Sequence, residues 1–232
     1  MKFSKISFRL LVNMIVKLLF FVSIIKISSI FKINFILGSY RALFSGSSAA
    51  VPLAGLFGGG FLSFVIFVFA ILFRYLIFGI SSLHILAFYV PGLFASLYMS
   101  SENIVIRLFL PALCMILFIL NPIGLQAFAY SFYWLIPIVI YFIKTKNIFL
   151  HALGSTFVAH AVGSVIWIYT VGMSAEVWNS LIPIVFLERL AIASAIVAFY
   201  KLFNLLGNKL KKRSPVSLVV FPVINFAGTR RV

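Results

Sequence analysis

The sequence of 232 residues is poor in charge and especially poor in acidic residues. Charged residues make up 9 % of the chain, aspartate is absent, and the three acids are Glu102, Glu176 and Glu188. A soluble domain of average composition has about 25 % charged residues. Hydrophobic residues make up 64 %, and the mean hydropathy is +1.21. This composition excludes a cytosolic enzyme, a secreted domain and a disordered chain, and it predicts that a lipid bilayer surrounds most of the protein.

The residue patterns that support catalysis or metal binding are also missing. The one cysteine, Cys114, lies in an apolar run, so we expect neither an intrachain disulfide nor a cysteine metal site. The glycine-rich stretch at 55–60 lacks the Lys-Ser/Thr pair of a phosphate-binding loop. Three scattered glutamates leave little for acid–base catalysis. We therefore predict a protein that is not an enzyme, with no catalytic residues, no metal site and no cofactor.

Basic residues are plentiful by comparison, because 19 lysines and arginines give a formal net charge of +16. They flank apolar runs, so we interpret them as topology signals that touch anionic lipid, and we expect no nucleic acid as a partner. Basic clusters occur at 144–146 and 209–213. Two predicted spans separate these clusters, so both are expected in the cytoplasm. The prediction is a multi-pass protein of the bacterial inner (plasma) membrane, with both termini cytoplasmic and residues 171–179 outside.

Long apolar runs predict an all-α fold, a polytopic integral membrane helical bundle of about six to eight spans. Residues 34–206 form this bundle, and 207–232 form a basic cytoplasmic tail. The cationic segment 1–33 is either a first span with snorkelling lysines or an interfacial helix. The spans after it are expected at 61–80, 82–99 with a break at Pro91-Gly92, 104–120, 124–143, 148–170 and 180–206.

A small-residue stretch at 45–60 contains Pro52 and the run Gly58-Gly59-Gly60. Such a composition is unsuited to a plain lipid-facing helix, so it predicts a broken helix packed against protein. In the span at 148–170, Ser155, Ala159 and Gly163 recur every four residues and form a face where another helix can approach closely. The predicted counter-surface is the small-residue set Ala191, Ser194 and Ala195.

Polar residues at membrane depth are costly and therefore mark candidate sites. Thr156, His160 and Ser164 form a polar stripe, which either bonds to its own helix or faces a ligand. Glu188 and Arg189 are adjacent and point about 100° apart, so we expect them not to form a well-aligned pair with each other. The partner of Glu188 is then expected on another helix, with Arg74 and Arg107 as candidates.

The loop before the last span adds an acid, an indole and an amide. Trp178 in this loop is either an interfacial anchor or the cover of a binding cavity. His160 and Glu188 are expected at similar depth, near the bilayer midplane, from the helical rise of about 1.5 Å per residue. We predict a small-molecule site whose substrate-binding residues are His160, Glu176, Trp178, Asn179 and Glu188.

The order of three motifs resembles a known family. VPLAGLFGGGF (51–61), ALGSTFVAHAVGS (152–164) and EVWNSLIPIVFLERL (176–190) look like the substrate-binding S components of energy-coupling factor (ECF) vitamin transporters. The resemblance covers roughly residues 45–205. It implies a small all-helical subunit that binds a vitamin or a precursor. It also implies a transmembrane coupling subunit and two ATPase subunits as partners, besides the membrane lipids.

A second class of function stays open at this point. Small helical membrane proteins also serve as non-catalytic assembly or scaffold subunits, similar to rod-shape-determining membrane proteins. A vitamin-sized molecule that co-purifies would favour the transporter subunit, whereas capture of morphogenesis proteins would favour the assembly subunit.

Overall fold

The computed structural model describes residues 4–30, 32–33, 44–79 and 86–211, and nearly all of these residues are helical. The predicted all-α class is therefore confirmed. The exception is a two-residue antiparallel pair, β1 (Lys32–Ile33) with β2 (Phe44–Ser45). The predicted tail lies outside the described residues beyond Lys211. The helices are α1 (Ser4–Ser28), α2 (Ser47–Phe78), α3 (Leu86–Ser100), α4 (Leu110–Leu120), α5 (Pro122–Gln126), α6 (Leu135–Ile143), α7 (Ile148–Thr170), α8 (Ala175–Ser180) and α9 (Ile182–Lys211).

Three helical stretches are long and apolar enough to cross a membrane: Ser47–Ile77, Ile148–Thr170 and Ile182–Lys209. Two further apolar stretches, Val105–Leu120 and Phe128–Ile143, are shorter. Within the described ranges α1 is not among the candidate spans. The structure thus supports an all-helical membrane protein, while the count of six to eight spans and the spanning role of 1–33 stay predictions.

Helix α2 is interrupted at Gly59, as the small-residue stretch predicted. Gly59 has φ 81° and ψ 173°, a conformation that is essentially restricted to glycine. The Ser63 hydroxyl donates to the Gly59 carbonyl at 3.0 Å. Pro52, in the first half of the helix, is fully buried. The stretch at 45–60 is therefore a broken helix packed against protein.

Helix α3 lies between α2 and α7 and contacts both closely. The Ser96 hydroxyl donates to the Val51 carbonyl of α2 at 2.5 Å, and the Ser155 hydroxyl of α7 donates to the Ala95 carbonyl at 2.9 Å. A methyl group on Gly55 of α2 would overlap the backbone carbonyl of Ser96. Small residues and hydroxyl groups therefore hold the three helices together, as is common in membranes. The predicted break at Pro91-Gly92 is wrong, because α3 is continuous through Pro91.

The small-residue face of α7 packs on α3, so the predicted counter-surface on α9 is wrong. Besides the Ser155 bond to α3, Gly163 faces Pro91, to which an added Cβ would come within 3.3 Å. Ala191 and Ser194 of α9 are exposed. Helix α9 does contact α7, but it buries a different face. Helix α7 is buried on nearly all sides. It approaches α3 most closely, because α3 offers small residues opposite the small-residue face of α7. The buried face of α9 includes Ile192, Ala193 and Ile196.

The predicted span at 124–143 is not one continuous α-helix. The Asn121 side chain accepts a hydrogen bond from the Ile123 amide at 3.0 Å, which starts α5 directly after α4. A 3-10 helix follows at Phe128–Trp134, and α6 completes the segment. Tyr130 and Trp134 of the 3-10 helix point into the interior, where both are almost completely buried.

Candidate functional site

Tyr130 is at the centre of a buried group of aromatic and polar side chains, which we call the Tyr130 cluster. The Tyr130 ring centroid lies 5.0 Å from that of Trp178, 5.3 Å from that of His160 and 5.6 Å from that of Phe118. Trp134 is 6.3 Å away by the same measure. Five different elements meet here, which places the cluster where the late helices converge. The members of the cluster are Phe118, Tyr130, Trp134, His160, Ser164, Trp178, Glu188 and Arg189.

Helix α7 contributes the polar wall of the cluster. His160 and Ser164 are four residues apart and therefore share a face. The Ser164 and Tyr130 hydroxyl oxygens are 3.5 Å apart, at the limit of a hydrogen bond. Thr156, the third residue of the predicted polar stripe, bonds instead to the Leu153 carbonyl of its own helix. His160 and Ser164 therefore face Tyr130, and Thr156 fits the alternative in which the stripe bonds to its own helix.

The 3-10 helix is held in place by Tyr133. The hydroxyl of this residue donates to the Ile182 carbonyl at the start of α9 at 2.7 Å. Its ring stacks on Phe157 of α7 at 5.7 Å and on Phe186 of α9 at 6.1 Å. One side chain therefore ties the segment that carries Tyr130 to both long helices of the site.

Glu188 and Arg189 form an ion pair with each other, although the sequence predicted that the partner of Glu188 lies on another helix. Arg189 Nη2 lies 2.7 Å from Glu188 Oε1. The distance is that of an ion pair, but Glu188 Oε1 accepts no hydrogen bond, so the pair is poorly aligned. Long side chains reach each other here despite the 100° separation of their Cα–Cβ bonds. Arg189 is also within electrostatic range of His160 and Tyr130.

The predicted alternative partner Arg107 lies elsewhere. It sits in a short π-helix, Val105–Phe109, that precedes α4. Its guanidinium donates to the carbonyls of Tyr98 at 3.2 Å and Ser101 at 3.0 Å, and it covers the Tyr98 ring at 4.6 Å. Arg107 therefore caps the C-terminal end of α3, where a cation is favourable, and the expected pairing with Glu188 is wrong.

Several buried polar atoms of the cluster have no hydrogen-bond partner in the part of the chain that the structure describes. An unsatisfied buried polar group costs about 1–3 kcal/mol, so such groups are rare in folded proteins and usually have a reason. In the same described ranges no group of three or more histidine, cysteine or acidic residues is placed to hold a metal ion. The atoms without a hydrogen bond are Trp134 Nε1, His160 Nε2, Trp178 Nε1, Arg189 Nε and Glu188 Oε1, the last of which lies in the ion pair with Arg189.

The five residues predicted as the binding site divide into two groups. The structure brings His160, Trp178 and Glu188 to the Tyr130 cluster. Glu176 and Asn179 are exposed on α8 and do not reach it. A hydrogen bond from the Ser174 side chain lowers the pKa of the Glu176 carboxyl below its ordinary value. Short helix α8 thus inserts its indole inward and leaves its acid and amide at the surface.

Sequence reasoning missed Tyr130, Trp134 and Phe118 as members of the site. The available signal was the aromatic-rich run FAYSFYW at 128–134, directly after a helix-ending turn.

Comparison of the chain with protein-family models, with curated proteins and with solved structures found no match. A function for this protein therefore has to be argued from the chemistry of the Tyr130 cluster.

Proposed function

We propose that the protein is a membrane subunit that binds a small molecule, and that the Tyr130 cluster is its binding site. The observation that carries the proposal is the group of unpaired polar atoms among closely packed aromatic rings. A ligand with polar edges and an apolar body would pair these atoms and stack on the rings, which is the usual chemistry of a small-molecule site.

Access to the cluster is best explained by α8. This helix has six residues and connects the two long helices α7 and α9. Trp178 is 2 % exposed, while Glu176, Val177 and Asn179 beside it are exposed. A small outward movement of α8 would therefore uncover the cluster without separating the long helices.

The motif resemblance extends the proposal to transport. In that role the ligand is a vitamin or a precursor, and the protein binds it without chemical change. A transmembrane coupling subunit and two ATPase subunits supply the energy for uptake across the inner membrane. The helical, apolar architecture supports a subunit of this kind.

A binding screen tests the proposal directly. The purified protein in detergent is titrated with vitamins and their precursors, and the melting temperature and tryptophan fluorescence are recorded. Trp178→Phe keeps an aromatic ring but removes the indole N–H that has no partner, so affinity should fall roughly fivefold for the loss of one hydrogen bond of about 1 kcal/mol. The matched control is Trp167→Phe, because Trp167 contacts Phe88 outside the cluster and should leave affinity unchanged.

A negative result in the binding screen would contradict the proposal. If no compound co-purifies with the protein and none raises its melting temperature, the transporter subunit is wrong. Capture of cell-wall or morphogenesis proteins from the same membranes would then favour the assembly subunit.

A further inference from the structure

The unpaired atoms of the Tyr130 cluster are mostly hydrogen-bond donors. The indole nitrogens of Trp134 and Trp178 and the Nε of Arg189 can only donate. His160 Nε2 can donate or accept, according to the tautomer. The remaining unpaired atom, Glu188 Oε1, accepts but already lies 2.7 Å from the Arg189 guanidinium. A ligand that satisfies this cluster must therefore present acceptors.

The charge of the cluster is already balanced. Arg189 and Glu188 neutralise each other. In the described residues, α4, the 3-10 helix and α8 bring no further charged side chain into the cluster, since Glu176 is exposed. A net charge on the ligand would thus be buried without a partner, at a high cost in free energy.

The side chains around the donors are aromatic and pack on one another. Phe118, Tyr130, Trp134 and Trp178 have ring centroids 5.0–6.3 Å apart, mostly at steep interplanar angles. A ligand that enters when α8 moves outward would meet these aromatic faces and edges, which stack on planar rings. The indole N–H groups lie in the planes of their rings, so they suit acceptors on the edge of such a molecule.

We infer that the ligand of the Tyr130 cluster is an uncharged, planar heteroaromatic compound whose carbonyl or ring-nitrogen atoms accept from Trp134, Trp178 and Arg189. This inference rests on the proposed function and narrows it to a substrate class. It selects neutral ring compounds over carboxylates and over amines of the same size.

Three probes with the same pyridine ring separate charge from shape. Nicotinamide is uncharged, nicotinate carries a negative charge, and 3-picolylamine carries a positive charge near neutral pH. Binding to the purified protein is measured by quenching of tryptophan fluorescence. We expect nicotinamide to bind at least about tenfold more tightly than either charged compound, a difference of about 1.4 kcal/mol.

Removal of the Glu188 charge should reverse the preference for nicotinamide over nicotinate. In Glu188→Gln the Arg189 charge is no longer balanced, so nicotinate should bind more tightly than nicotinamide. Glu176→Gln is the matched control, because this acid is exposed on α8 and should leave the order unchanged. If Glu188→Gln does not fold, the order of the three probes on the unmodified protein decides.

Failure of the substrate class and failure of the proposed function give different results in these experiments. Nicotinate or 3-picolylamine binding as tightly as nicotinamide would overturn the uncharged substrate class and leave a small-molecule site in place. The same holds if the wider vitamin screen yields only charged ligands. Binding of no compound in either screen would overturn both the substrate class and the proposed function.

Discussion

At the scale of single residues, glycine positions determine how closely the helices approach and where α2 breaks. Gly55 lies against the backbone of α3, Gly163 lies against Pro91, and Gly59 adopts a positive φ. Gly55 and Gly163 allow a neighbouring helix to approach closely, whereas Gly59 allows a backbone conformation that other residues avoid. Two of them yield separate predictions, one of backbone strain and one of overpacking.

Gly59→Ala should destabilise the protein by backbone strain alone. No atom lies within 4 Å of the added methyl group, but φ 81° with ψ 173° is a conformation that alanine avoids. The expected loss is about 1–3 kcal/mol in the free energy of unfolding. Thermal unfolding in detergent measures it, with Gly172→Ala as the control, since Gly172 also has open space around it and lacks a positive φ. Equal melting temperatures for the two variants would show that the break in α2 does not depend on Gly59.

Gly163→Leu should destabilise the protein by overpacking. Its Cβ would already be 3.3 Å from Pro91 Cγ, and the remaining leucine atoms would have to displace α3. We expect a loss of about 1–3 kcal/mol in the free energy of unfolding. Ala191→Leu is the control, because Ala191 is exposed on α9. A variant at 163 that melts with the unmodified protein would contradict the packing of this face on α3.

At the scale of elements, α3 connects the first half of the chain to the second. The Ala95 carbonyl of α3 accepts a hydrogen bond from the Ser155 hydroxyl of α7. The Ser96 hydroxyl of α3 donates to the Val51 carbonyl of α2. Backbone carbonyls in an apolar interior gain from such additional donors, and the bonds set the distance between helices. Helix α3 has Pro91-Gly92 near its middle and was predicted to break there, yet it is the helix that both α2 and α7 contact.

Ser155→Ala should weaken the contact between α7 and α3. The hydroxyl of Ser155 is buried and donates to the Ala95 carbonyl at 2.9 Å, so its removal should cost about 0.6 kcal/mol, the average for such bonds between membrane helices. The control is Ser180→Ala, whose exposed hydroxyl bonds to the Val177 carbonyl within α8. Thermal unfolding in detergent compares the two, and a larger effect at Ser180 would speak against the α3–α7 bond as a stabilising contact.

At the scale of the whole molecule, one group of loops lies at each end of α7. His151, near the start of α7, bonds to the Thr145 carbonyl and lies within electrostatic range of Arg107. Because Arg107 also bonds to Ser101, residues 101–103 and 144–147 lie at the same end. Residues 171–174 follow the other end of this 23-residue helix, about 34 Å away at 1.5 Å per residue.

Cysteine labelling tests this arrangement together with the predicted orientation. On a Cys114→Ala background, Glu102→Cys and Lys146→Cys should react with an impermeant reagent only after the membrane is opened. Ser174→Cys should react in intact cells. All three positions are exposed, which makes them suitable probes. Opposite labelling of Glu102→Cys and Lys146→Cys would refute the arrangement. The same pattern with inside and outside exchanged would refute only the orientation.

The sequence by itself determined the membrane class and the helical architecture. With 64 % hydrophobic and 9 % charged residues, no soluble surface can form, and backbone groups in lipid must pair within helices. The interruption of α2 was also predictable, since three consecutive glycines and a proline carry local information about backbone conformation. The helix at 148–170 was predicted with the bounds that the structure has, because its apolar run ends at polar residues on both sides.

Only the tertiary structure decided which faces meet and what surrounds Tyr130. Helical periodicity shows that Ser155 and Gly163 share a face, but it does not say that α3, sixty residues earlier, lies opposite. In a bilayer, apolar residues are equally suited to lipid and to protein, so hydrophobicity does not distinguish the exposed face of α9 from its buried one. The pairing of Glu188 with Arg189 likewise depends on side-chain reach inside a packed interior. The convergence of five separate elements on Tyr130 depends on contacts that are distant in sequence, and local patterns contain no record of such contacts.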